Sequence, residues 1–134
     1  MHDLGHWSLA EGVEYRDNAY GFIYLIINNI NNKKYIGKKQ IITKYKRPPL
    51  KGKKNKRHSV KETDWRDYCS SSTELNKDIE EQGKNNFTFL ITRFCENKSQ
   101  LAYFEAKEQF DKDVLLREDY YNGIINLRVG RVKI

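Results

Sequence analysis

Gly21-Phe22-Ile23-Tyr24-Leu25-Ile26-Ile27, an asparagine-rich stretch from Asn28 to Asn32, and then Lys33-Lys34-Tyr35-Ile36-Gly37 read as strand, turn, strand. The first run is aromatic and β-branched, the composition of a buried strand. The asparagines suit a turn, because their side chains bond nearby backbone and tolerate left-handed conformations. Joined so closely, the two runs form a hairpin, and a hairpin pairs antiparallel. Downstream, Phe87 to Cys95 has strand composition. Two helices are expected around it. Ser71 and Glu74 fit a capping box that opens a helix through Leu75 and Ile79, ended by Gly83. Ser99 precedes a second helix running to about Asp113, with Leu101, Phe104 and Val114 or Leu115 as its apolar stripe. The expected fold is α+β: a three-stranded antiparallel sheet flanked by helices, with a long basic loop over residues 38–63.

The chain has 134 residues, one domain's worth, and too few for a catalytic domain plus a separate recognition domain. Residues 1–19 read as a loosely docked arm that Trp7 anchors, residues 20–123 as the domain, and 124–134 as an irregular tail. No apolar run approaches the length of a membrane span, and the first twenty residues carry acidic side chains rather than a secretory signal. Two cysteines, Cys69 and Cys95, are too few for a disulfide scaffold and suit a reducing, intracellular compartment. The histidines, His2, His6 and His58, show no metal-ligand spacing.

The formal net charge of +7 hides an asymmetry. Lys33 to His58 holds twelve Lys or Arg and no acid, whereas the other 108 residues carry 13 basic and 18 acidic side chains. Such a cationic stretch, broken by Pro48, Pro49 and Gly52, reads as an exposed mobile loop whose natural partner is a polyanion. Lys39, Lys44, Lys46, Lys51, Lys53, Lys54, Lys56 and Arg57 are its candidate DNA-backbone contacts. A merely solubilising loop is the blander alternative.

Tyr24 and Tyr35 stand eleven residues apart on the paired strands. Phe22-Ile23-Tyr24 and Tyr35-Ile36-Gly37, with Glu105 in a later helix and Asn122 near the end, resemble the GIY-YIG nuclease superfamily. The likeness spans about residues 20–123 and is greatest to the small phage-type branch with free-standing homing-like endonucleases. Trp65, Tyr68, Ser71 and Ser72 match an element of that branch. Each tripeptide alone is weak evidence, and the ordered set is much stronger. The sequence departs from the pattern in three places. Phe22 stands where the family has Gly, and the usual arginine position falls on Tyr45. Arg47, Arg66 and Lys38 are the candidates for the arginine's role, and Tyr68 for that of a histidine seen in some members.

The resemblance implies a phosphodiester hydrolase acting on DNA in the host cell. It needs no small-molecule cofactor and no membrane, and a homodimer is one way to cut both strands. Tyr24 is the expected general base and Tyr35 its partner toward water or phosphate. Lys38 and Lys39 are expected to lower the phenol's pKa, because nearby cations favour the phenolate. Glu105 is the expected ligand of Mg²⁺ or Mn²⁺, because one carboxylate suits a hard cation that keeps its waters. The resemblance, not the spacing, picks Glu105 over Glu108. Asn122 either orients the hairpin or contacts phosphate. Trp65 reads as a core anchor for the loop's return rather than a base-stacking ring. A non-catalytic nucleic-acid-binding module is the alternative function, indifferent to Glu105 and Tyr24. Without an appended reader domain, site preference is expected to be loose.

Overall fold

The computed structural model describes residues 2–52, 54, 57–126, 128 and 130–132, with the side chains of Lys46, Arg47, Arg57 and His58 outside that description. Strand β1 (Ser8–Leu9) is followed by β2 (Gly21–Asn28) and β3 (Lys34–Gln40). β4 (Ile42–Arg47), β5 (Arg57–Glu62), helix α1 (Thr73–Gln82), β6 (Phe87–Cys95) and helix α2 (Lys98–Asp111) complete the order. The main sheet runs β1-β6-β2-β3. The expected hairpin is present, with β2 and β3 antiparallel and Tyr24 opposite Gly37. Asn32 sits in its turn at φ 61°.

The sheet has four strands and is mixed, which corrects the three-stranded antiparallel expectation. Ser8 and Leu9 pair with Leu90 and Ile91 of β6 in parallel. Two residues are too few to show alternation, so this strand leaves no sequence signal. The N-terminal arm is held at Trp7. Trp7 is buried among Phe22, Tyr24 and Phe89, and its indole N–H donates to the Trp65 carbonyl at 2.7 Å. Gly5 lies beside this contact, at φ +62° and so close to Arg66 that a Cβ would stand 2.3 Å from its carbonyl oxygen. Trp65 is buried, as expected of an anchor.

Residues 38–63 are not one long loop. β3 extends into them, and β4 and β5 form a second, separate two-stranded ladder. Charge density suggested a mobile stretch, but Ile42, Thr43, Tyr45 and Val60 are strand formers and a ladder can present lysines to solvent. Lys53 and Lys56 lie outside the described residues.

β2 is the core strand, and alternate residues feed two packed faces. Phe22, Tyr24 and Ile26 join Trp65, Leu75 and Ile79 on one side. Ile23 and Ile36 join Leu101, Val114 and Tyr120 on the other. The first helix is capped by Ser72, not Ser71, its hydroxyl accepting from the Leu75 N–H at 3.2 Å. Ser71 is freed for another role described below. Gly83 ends the helix at φ 91°, as expected. The second helix is capped by Asn97 instead of opening at Ser99. Of its expected stripe, Leu101 and Val114 are buried while Leu115 is exposed. Among the described residues no helix is long and apolar enough to cross a membrane.

His6 packs on Phe89 with ring centroids 4.1 Å apart. Both its nitrogens are buried without a well-formed hydrogen bond to a described residue. Burial, helped by Lys84, pulls its pKa down to about 4. The unfolded chain takes up that proton near pH 6.5, so stability should fall as pH drops from about 6.5 through 4. Thermal melts between pH 7 and 4.5 should show Tm falling in the wild type, with this part of the slope absent in His6→Leu.

Candidate active site

β3 is an edge strand, and a bare edge presents unpaired backbone groups. Here the edge is closed by side-chain amides. Asn122 Oδ1 accepts from the Ile36 N–H at 3.0 Å, and its Nδ2 donates to the Ile36 carbonyl at 2.8 Å. Gln109 Nε2 gives the same carbonyl a second bond at 2.9 Å. The neighbouring backbone continues the closure: Lys34 N–H to the Asp119 carbonyl at 2.8 Å and Tyr121 N–H to the Lys34 carbonyl at 2.7 Å. Of the two roles expected for Asn122, this geometry is that of orienting the hairpin.

On the edge so held, Tyr35, Gly37 and Lys38 stand in fixed register. Tyr24 and Tyr35 share a face, ring centroids 6.1 Å apart. Gly37 lies opposite Tyr24, and a Cβ there would meet the Tyr24 hydroxyl oxygen at 2.4 Å. Glycine is required by that approach. The chain returning from β5 lays Tyr68 against Tyr24, centroids 6.3 Å apart, and brings the Ser71 hydroxyl to 2.9 Å from that of Tyr35. From the opposite side α2 delivers Glu105, whose carboxylate lies 3.9 Å from the Lys38 ammonium. Tyr35, Lys38, Tyr68, Ser71, Glu105 and Asn122 line a cleft of about 600 Å³. Tyr24 is buried next to it.

The electrostatics run against one expectation. The Tyr24 phenol has its pKa raised well above 10. Burial is the main cause, followed by the Tyr68 and Tyr35 phenols, and the Glu105 charge adds to it. Its hydroxyl is buried without a hydrogen-bond partner of normal geometry among the described residues. Tyr35 is raised by burial, which outweighs the Ser71 hydrogen bond. The lysines do not reverse this, because they are engaged elsewhere. Lys38 faces Glu105, while Lys39 pairs with Asp64 at 3.0 Å and stacks 4.3 Å over the Tyr68 ring. Glu105 itself is raised by burial, against the pull of Lys38.

The other sequence candidates are dispersed. Arg66 lies away from the cleft, over the Trp65 ring at 4.4 Å and bonded to Glu62 and Asp3. The Arg47 side chain lies outside the description. Lys38 is the arginine-role candidate that lines the cleft. Lys44, Lys51 and Lys54 are exposed. Lys46 and Arg57 contribute backbone to the β4–β5 ladder. Gln109 was not anticipated. Its only signal was position, four residues after Glu105 and so on the same helix face.

Among the described residues no group of three or more His, Cys, Asp or Glu could hold a metal ion. That donor set does not suit zinc, which takes three or four protein ligands. It does fit a hard cation held by one carboxylate, and Glu105 is a largely buried carboxylate with a single charged neighbour.

Removing the amide closure should be measurable in urea. Asn122→Ala leaves the Ile36 N–H bare and should cost about 1–3 kcal/mol. Adding Gln109→Ala strips the Ile36 carbonyl as well, so the double variant should lose more than the two single losses added together.

The chain matches the family model described as "Putative endonuclease segE, GIY-YIG domain" over residues 7–125. No curated protein and no solved structure matches it. The match begins at buried Trp7 and ends just beyond Asn122, so it takes in every strand, both helices and every residue of the cleft except Asn126. With that coverage, and with the two tripeptides paired across one hairpin beside Glu105, the chain belongs to the GIY-YIG endonuclease-domain family.

Proposed function

We propose that the protein is a divalent-cation-dependent DNA endonuclease that hydrolyses phosphodiester bonds in the Tyr35–Glu105 cleft. The observation that carries this reading is the convergence of phenols, a cation and a shielded carboxylate on one cleft, inside a GIY-YIG endonuclease domain. Hydrolysis needs an aligned water, an acceptor for its proton, and positive charge at the phosphate oxygens. Lys38 supplies charge at the cleft wall. Tyr35, its hydroxyl already fixed by Ser71, holds water or phosphate by hydrogen bonding. Glu105 would hold Mg²⁺ or Mn²⁺, which when bound supplies charge to the scissile phosphate and to the attacking water.

Tyr24 is the proposed proton acceptor. Its hydroxyl, which makes no hydrogen bond of normal geometry among the described residues, has acceptor capacity to spare. Acting as a base requires the phenolate, and burial with neighbouring phenols keeps that form scarce at neutral pH. Asn122 and Gln109 act through Ile36 as positioning residues. The exposed lysines Lys44, Lys51 and Lys54 contact the DNA backbone, which sets register without reading sequence. Dimerisation for double-strand cutting remains part of the proposal.

One observation favours the second reading, a nucleic-acid-binding domain that does not cut: among the described residues no arginine lines the cleft. Nicking of supercoiled plasmid separates the two. Wild type should relax the plasmid with Mg²⁺ and not with EDTA. Glu105→Ala should not nick under either condition, with DNA affinity within about threefold of wild type. Equal gel retardation by both proteins, with nicking by neither, would establish the binding-only reading.

The raised Tyr24 pKa also sets a pH dependence. A base with a pKa above 10 gains about tenfold in active form per pH unit below that value. The wild-type nicking rate should therefore climb from pH 7 to 9 without a plateau. Tyr24→Phe should cut the rate at pH 9 by about a hundredfold or more and flatten the profile.

A further inference from the structure

Among the described residues the β4–β5 ladder pairs with no other strand. A lone two-stranded ribbon is marginal in water, because it buries little of its own surface. Its root is tied down. The Thr63 hydroxyl donates to the Gln40 carbonyl at 2.6 Å, the Thr63 N–H to the Ile41 carbonyl at 2.8 Å, and the Ile41 N–H to the Tyr20 carbonyl at 2.8 Å. Beyond the root, Thr43, Lys44, Tyr45, Val60 and Lys61 are exposed.

The register sorts these residues. Thr43 lies opposite Lys61 and Tyr45 opposite Ser59, so these four share one face, while Lys44 and Val60 share the other. The four-residue face carries three hydroxyls and an ammonium. The Thr43, Tyr45, Ser59 and Lys61 side chains make no hydrogen bond or ion pair with the described residues. The described ribbon residues include one acid, Glu62, and it sits at the root, accepting from the Trp65 indole at 2.7 Å. The free face is therefore cationic and rich in unused donors and acceptors.

We propose that the β4–β5 ribbon enters the major groove of duplex DNA and that Thr43, Tyr45, Ser59 and Lys61 form its base-reading face. This rests on the endonuclease reading for its partner but goes beyond backbone contact. Two strands about 4.8 Å apart, with side chains on both faces, fit a groove about 12 Å wide and not one about 6 Å wide. Hydroxyls and lysine are suited to base edges in that groove, because they pair with its acceptors and donors. The ribbon is also rooted beside the cleft. Lys38 of the cleft lies four residues before Ile42, and Tyr68 of the cleft six residues after Glu62. A six-residue strand spans about 20 Å. With the four residues from Lys38 to Ile42 added, and at about 3.4 Å per base pair, the bases it reaches lie within about ten pairs of the bond in the cleft. The loose site preference expected from the sequence gives way to a reader built into the domain itself.

Competition binding tests this with the full chain, EDTA present, and a 30-base-pair mixed-sequence duplex. Methyl green, which occupies the major groove, should weaken binding at least tenfold, and netropsin, which occupies the minor groove, less than twofold. Thr43→Ala/Tyr45→Ala/Lys61→Ala should bind more weakly and lose most of its sensitivity to methyl green. All three positions are solvent-exposed, and an unchanged Tm would show the variant folded. A parallel Lys51→Ala/Lys54→Ala variant should lose affinity and salt dependence but keep the methyl green effect. Binding indifferent to methyl green overturns the proposal, as does a triple variant that remains as sensitive as wild type. Because this measurement needs no cleavage, a failed plasmid-nicking assay would remove the endonuclease reading and leave the ribbon result standing.

Discussion

The pairing of the Asn122 and Gln109 side-chain amides with the backbone of Ile36 is the constraint on which the site depends. An edge strand left open would be free to fray or to recruit another chain. Here an asparagine amide presents an acceptor to the Ile36 N–H and a donor to the Ile36 carbonyl, as a neighbouring strand would. The two residues flanking Ile36 in sequence are Tyr35 and Gly37. Holding Ile36 therefore fixes where the cleft phenol stands and where Tyr24 meets backbone. It also brings two remote elements, α2 and the segment after it, into contact with the hairpin.

A second constraint is the cost of placing phenols in a core. Tyr24 packs among Trp7, Phe22 and Tyr68, which rigidifies it and pushes its pKa up. Position and acidity are thus set against each other. A rigidly placed base needs packing, and packing removes the water that stabilises its charged form. Glu105 obeys the same logic from the other wall, with Lys38 as partial compensation. Gly37 follows from the same packing, since the Tyr24 hydroxyl occupies the space a side chain would need.

The charge asymmetry acquires a shape. Twelve cations without an acid over 26 residues could have been a floppy tether. Strand formers interleaved among them turn much of the stretch into a ribbon fixed at its root. Acids of the remainder meet the cations at its start, Glu74 at Lys33, Asp119 at Lys34, Glu105 at Lys38 and Asp64 at Lys39, while Lys44 and Lys61 of the ribbon stay exposed.

The hairpin, the third strand and both helices were legible because each has a local pattern: β-branched runs, an asparagine turn, a cap, a terminating glycine. The resemblance picked out Tyr24, Tyr35, Glu105 and Asn122 because tripeptides at hairpin spacing are themselves local. Cap positions slipped by one residue at α1, where consecutive serines offer equivalent hydroxyls and packing chooses between them. The parallel strand at Ser8–Leu9 was invisible because two residues carry no period, and its place depends on Trp7 finding the core. Gln109 was missed because its partner, the Ile36 carbonyl, lies 73 residues away. The upward shift of Tyr24 was not legible because it comes chiefly from burial, and Lys38 and Lys39, adjacent in sequence, are engaged in space by Glu105 and Asp64. By itself, then, the sequence determined the elements and the chemical inventory, which follow from short-range propensity and residue type. Only the tertiary structure decided who pairs with whom, which phenol is dry and which arginine is diverted, because burial and electrostatic pairing are properties of distances that the chain order does not contain.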